Sequence, residues 1–226
     1  MYHSRIGPER RIDLRATPVL NFLNRLTDLI FLNFLWIVFS LPIVTIGAST
    51  TAMYYVNITS IREGDGRVFA KFWKSFRMNF RQATIIWLCM LFAIVSLLLD
   101  VLFWAVRTDA LASVMLTASV AVAVLLAIPG QYIFPVLAKL KGTIRETVRN
   151  AVLFSVGYIK YTLICLVISA VWFWLIYTQT APALVFAMFI GCSLQSFIKS
   201  FFYYRAMLNH IDEEYDDLDG ESYEEE

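Results

Sequence analysis

The residues of this chain that could carry chemistry are few and far apart. His3 and His210 stand near opposite ends. Cys89, Cys165 and Cys192 each sit alone in an apolar run, with no C-x-x-C spacing. They read as small buried hydrophobes rather than as disulfide partners or metal ligands. The sequence holds no phosphate-cradling G-x-x-x-x-G-K-[ST], no H-E-x-x-H zinc pair and no G-x-S-x-G nucleophile elbow. Asn57-Ile58-Thr59 fits a glycosylation sequon but falls where the chain is expected to face the inner side, so it reads as a chance match. No catalytic residue, metal or cofactor is assigned, and the chain reads as a non-enzyme.

The composition explains this poverty. Of 226 residues, 59% are hydrophobic and 16% charged, against about 45–50% and 25% in soluble domains. Several uncharged runs approach the ~20 residues that a helix needs to cross a bilayer core. The fold class is therefore all-α: a polytopic membrane bundle, with the lipid bilayer as its first partner and no expected nucleic-acid binding. The deep polar inventory is modest, comprising Asn33, Ser40, the hydroxyls from Thr45 to Thr51, and Gln195. Asn33 is expected to bridge helices. Asp28 is expected to pair with Arg25 or meet water. Asp100 is expected to form an ion pair with Arg107, two turns further on.

The elements that must hold these groups are set by charge. Ten of the 18 acidic residues lie in the last fifteen positions, and the basic residues cluster between apolar runs. Lys and Arg near span ends stay on the cytoplasmic side. Basic clusters flank residues 26–62 on both sides, so this stretch reads as a hairpin that turns at Leu41-Pro42 and Gly47, with Ser49 and Thr50 following the corner. The expected spans are about 26–43, 47–61, 83–105, 111–138, 157–177 and 183–204, arranged as three hairpins. The second is short and rich in Ser and Thr, so it is either tilted against partners or partly re-entrant. The lead-in 1–25 is basic and cytoplasmic; the tail 206–226 is acidic and expected to be disordered, lying across the basic connectors. Both termini then lie in the cytoplasm.

Two connectors carry pattern. In residues 68–82, Phe69, Phe72, Trp73, Phe76 and Phe80 recur at helical spacing, with Lys71, Lys74, Arg77 and Arg81 largely around the other side. That pattern suits a helix lying in the headgroup layer or docking on a partner, with Phe72, Trp73 and Phe76 as anchors and Lys71, Lys74 and Arg81 orienting them. After Lys139, Thr143 and Glu146 have the spacing of a capping box. Ile144, Val148, Ala151 and Val152 are expected on one face and Arg145 and Arg149 on another. Pro129-Gly130 and Pro135 are expected to kink the fourth span, with Gln131 placed to recapture a freed backbone group. Residues 75–86 faintly resemble residues 153–164, as if the connector-plus-span unit were repeated.

Residues 32–56, LNFLWIVFSLPIVTIGASTTAMYYV, resemble the signature of the YesL-type bacterial membrane proteins, a group of unknown function. Residues 72–83, FWKSFRMNFRQA, resemble the basic aromatic segment of the same group. The resemblance implies a small multi-pass protein of the Gram-positive plasma membrane, often encoded beside carbohydrate importers of the ATP-binding-cassette (ABC) type. It brings no catalytic or binding residues. The chain lacks the E-A-A…G loop by which importer membrane subunits grip their ATPases, so the expectation is an accessory component of carbohydrate (oligosaccharide) ABC import, with importer subunits as partners. The alternative is a stand-alone channel or carrier for a neutral solute, centred on the Pro42–Gly47 corner.

Overall fold

The fold, a computed structural model, is described for residues 18–63, 67–140, 142–178 and 187–207. Most of the lead-in, the expected loop at Gly64 and Gly66, the turn expected at Ala181-Pro182 and nearly all of the acidic tail lie outside the described residues. Helix α1 (Pro18–Ser40) leads through a 3-10 turn (Ile43–Thr45) into α2 (Ile46–Glu63). Then follow α3 (Val68–Ala105), α4 (Ala110–Lys139), α5 (Ile144–Gly157) and α6 (Ile159–Tyr177). A five-residue π turn (Ala187–Gly191) precedes α7 (Cys192–Met207). No strand occurs among the described residues.

Among the described residues four helices are long and apolar enough to cross a membrane: Phe22–Ser40, Val68–Ala105, Ala110–Lys139 and Ile159–Tyr177. Helix α2 is not one of them. It is instead the axis of the bundle, packed against α1, α3, α4 and α7. From Gly47 to Thr59 every residue except Thr50 is buried. This enclosure accounts for its Ser, Thr, Asn and Tyr content. Those side chains meet protein, where Ser49, Thr51 and Asn57 hydrogen-bond, rather than lipid, which offers no such partners.

Helix α3 corrects the expectation of a separate interfacial connector. No Pro or Gly interrupts residues 68–105, and the basic aromatic segment runs into the apolar one as a single 38-residue helix. At 1.5 Å per residue it is about 57 Å long, nearly twice the ~30 Å of a bilayer core. Its buried residues, from Val68 to Ile86, all lie in the N-terminal half. Beyond Trp87 the helix is apolar and turned outward, and α4 mirrors it: Tyr132–Lys139 are buried, but of the preceding residues only Ala112 and Ser119 are. The α3–α4 hairpin thus has one half packed in protein and one half suited to lipid.

Helix α4 stays helical through Pro129 and Pro135. Gln131 Nε2 donates to the Thr162 carbonyl of α6 at 3.4 Å, so it ties two helices rather than repairing its own. The capping box of α5 forms as expected. Its buried face is Thr147, Ala151, Phe154 and Ser155, however, and Val148 and Val152 are exposed. The apolar stripe is rotated because Thr147 and Ser155, polar in the sequence, are buried and hydrogen-bond to carbonyls one turn back. The α5–α6 unit resembles α3 in outline: a partly buried basic half, then an outward apolar half, but with a break at Tyr158.

Candidate functional site: the corner and the basic half of α3

The corner is built from three local devices. Pro42 has φ −75° and ψ 117°, an extended conformation that ends α1's course. Thr45 Oγ1 lies 2.6 Å from the Phe39 carbonyl, in the last turn of α1, and 2.7 Å from the Pro42 carbonyl, which also accepts the Thr45 N–H at 2.9 Å. Two indoles then clamp the turn: Trp36 Nε1 donates to Thr50 Oγ1 at 3.1 Å, and Trp87 Nε1 of α3 donates to the Ile43 carbonyl at 2.8 Å. Ser49 is fully buried and donates to the Thr45 carbonyl at 3.0 Å.

Gly47 sets how close α2 comes to α3. A Cβ there would lie 2.5 Å from Trp87 Cβ and 2.6 Å from the Ala83 carbonyl oxygen. Only glycine permits that approach, the small-residue contact that membrane helices favour. Pro42, Gly47, Ser49 and Thr50 are therefore positioning residues of a clamped corner. The corner meets α3 at Ala83 and Trp87, whereas α3 continues to Ala105, about 27 Å further along its axis.

The six connector residues do not act as one surface. Phe72 and Phe76 are buried, and with Trp73 they surround the ring of Phe39 at centroid distances of 5.1–5.7 Å. Lys71 is 3% exposed. Phe72, Phe76 and Lys71 are thus held inside the chain and cannot anchor an outside partner, a correction to the expected contact set. The helical stripe is present, but its middle, Phe72 and Phe76, packs on Phe39 of α1, while Phe69 and Phe80 are exposed. Trp73 is 39% exposed and stacks on Phe76; Lys74 is half-buried, and Arg77 and Arg81 are exposed. Arg77 lies 6.0 Å from the Trp73 ring centroid.

Next to Arg77 and Arg81 an open groove of about 620 Å³ runs between α3 and the end of α4. Its polar side is Arg77, Asn79, Arg81 and Gln82, and its apolar side includes Ile85 and Leu137. Gln82 Nε2 donates to the Gly142 carbonyl at 3.2 Å and fixes the loop after α4 against α3. Nearby, Glu146 Oε2 accepts from the Thr143 backbone N–H at 2.7 Å. That bond, with the Thr143 hydroxyl, holds the Glu146 carboxyl below the usual glutamate range.

The interior holds a polar seam that the sequence did not reveal. Asn33 Oδ1 accepts from the Ser193 backbone N–H at 2.9 Å, which makes it the expected inter-helix bridge. Asn57 Nδ2 donates to Ser196 Oγ at 2.6 Å, so the sequon asparagine is enclosed. Tyr132 OH lies 3.0 Å from Thr162 Oγ1, and the Tyr203 ring packs on Tyr132 and Tyr54. Lys139 is 1% exposed, with Nζ 4.5 Å from the Tyr55 ring centroid. Lys139 follows the end of the fourth expected span and Lys199 falls within the sixth; the helical register turns both inward. A polar i, i+3, i+4 stripe in α7 (Ser193, Ser196, Lys199, Ser200) was the available signal.

In the outward-turned apolar half of the α3–α4 hairpin, Asp100 accepts from Ser119 Oγ of α4 and from Trp104 Nε1. Arg107 stacks over Phe103 at 4.1 Å instead of pairing with Asp100. The ring quadrupole of an aromatic face one turn away attracts a guanidinium. The three cysteines are free; Cys165 is buried, but Cys89 faces outward on α3. Among the described residues no cluster of His, Cys, Asp or Glu could hold a metal ion.

Fold and surface together define an all-helical protein with several helices fit to cross a membrane. Residues 29–101, which include both the clamped corner and the basic half of α3, match a family model described as a protein of unknown function, DUF624. No curated protein and no solved structure matches the chain.

Proposed function

We propose that the chain is a non-enzymatic, YesL-type integral protein of a Gram-positive plasma membrane. In this reading it serves as an accessory component of a carbohydrate ABC importer. Both termini lie in the cytoplasm and six helical passages remain as three hairpins. The first hairpin, α1–α2, enters from the inner side and turns back at the corner, and the other two cross fully. The re-entrant course is supported by the enclosure of α2 and by the corner's level on α3.

One observation carries the accessory role. The half of α3 that precedes its uncharged run presents exposed Trp73, Arg77 and Arg81 on a rigid helix already locked to the bundle by Phe72 and Phe76. Aromatic and Arg side chains held on a rigid element are the residues that dominate protein interfaces. The corner, by contrast, is bonded into a structural joint by Thr45, Trp36 and Trp87, which favours the accessory reading over a solute path through it. Affinity purification of the tagged protein in mild detergent, from its native host grown on a polysaccharide, tests the role. Importer subunits at near-stoichiometric yield support it. A solitary protein moves the function to a self-contained channel or carrier.

A further inference from the structure

We infer that the α3–α4 groove is a binding site for the phosphate headgroup of an anionic phospholipid. Arg77 and Arg81 are one helical turn apart on α3 and line the same groove. Both are exposed, and neither has a carboxylate partner among the described residues. The Glu146 carboxylate, beside the groove residue Gly142, is committed to the backbone and hydroxyl of Thr143. The volume of about 620 Å³ suits a headgroup with its glycerol, since small-molecule sites run about 300–1,000 Å³.

The surroundings select a lipid over a free anion. Arg81 is the last basic residue before an uncharged run that lasts to Leu99. Directly above it on α3, Ile85, Leu88 and Phe92 are exposed. A guanidinium pair with an apolar wall rising from it matches an amphiphile whose charge sits at the interface and whose chains lie along the helix. Asn79 and Gln82 bring amide groups to the same level, although Asn79 Nδ2 already donates to the Ser75 carbonyl and Gln82 Nε2 to that of Gly142. The inference does not depend on the importer reading.

The test is native mass spectrometry of the full-length protein in detergent, incubated with equal amounts of phosphatidylglycerol and phosphatidylcholine of identical acyl chains. The wild type should retain phosphatidylglycerol preferentially. The double variant Arg77→Gln/Arg81→Gln should lose on the order of 25-fold in that preference, and Arg81→Gln alone about fivefold. Arg145→Gln/Arg149→Gln, which alters exposed basic residues of α5 outside the groove lining, should keep it. Thermal unfolding of each variant in detergent reports on folding. Equal retention of the two lipids, or an unchanged preference in the double variant, overturns the site. Displacement of phosphatidylglycerol by inorganic phosphate alone reassigns it to a free anion.

Discussion

Gly47 of α2 lies against Ala83 of α3 so closely that a Cβ would come within 2.6 Å of the Ala83 carbonyl oxygen. The nearest obstacles are a backbone oxygen and Trp87 Cβ, neither of which can swing away. Gly47→Ala should therefore cost about 1–3 kcal/mol through overpacking, read as a lowered unfolding temperature in detergent. Gly157 is the contrast. A Cβ there meets nothing within 4 Å, so Gly157→Ala should be neutral or stabilising by about 0.4–1 kcal/mol. Equal effects at the two sites would contradict the close α2–α3 contact.

The corner's depth can be measured with single cysteines in a background free of the three native ones. Ile43→Cys and Val44→Cys, both exposed at the turn, should resist an impermeant thiol reagent added outside intact cells. Thr108→Cys, in the loop between α3 and α4, should react with it. The difference follows from the ~27 Å of α3 that lies beyond Trp87. Outside labelling of the corner would show a full crossing by α1 and α2.

Phe72 and Trp73 are neighbours with opposite duties. Phe72 is fully buried against Phe39 and Phe76, so Phe72→Ala should destabilise by about 3–5 kcal/mol. Trp73 is 39% exposed, and the stability cost of Trp73→Ala should be well below that of Phe72→Ala. Thermal unfolding of the two variants side by side separates them; similar losses would place Trp73 in the core as well.

How much of this could be read in advance follows from particular residues. The apolar runs ending near Ala105, Ala138 and Tyr177 were legible because lipid-facing apolar length is a one-dimensional signal, and α3, α4 and α6 end within a residue of those positions. The inter-helix role of Asn33 and the Thr143–Glu146 box were legible because each rests on a local rule. Which way the Phe72–Phe76 stripe faces was not legible, because an aromatic stripe looks the same whether lipid, partner or α1 receives it. The burial of Lys71 and Lys139 was hidden for a similar reason: a basic residue at a span end ordinarily means an interface. Arg107 escaped because a cation can choose an aromatic face over a carboxylate.

The Glu146 carboxyl titrates below its ordinary range because the Thr143 N–H and hydroxyl favour the charged form. A depressed folded-state value stabilises α5 above the unfolded-state pKa, and that contribution is lost as pH falls through the folded value. The cap should thus hold at neutral pH and open only in acid. Carboxyl chemical shifts followed against pH in detergent should show a low midpoint for Glu146, moved up toward the ordinary value in Thr143→Ala. An unchanged midpoint in that variant would remove the hydroxyl as a cause and leave the residue-143 N–H alone.

The accessory role itself is tested most directly by mild-detergent purification of tagged wild type beside the variant Trp73→Ala, which leaves the lining of the α3–α4 groove unaltered, both from the native host. The account predicts importer subunits at near-stoichiometric yield with the wild type, and their loss with the variant while the protein remains folded. Recovery of the wild type alone, or full retention of the partners by the variant, would contradict it.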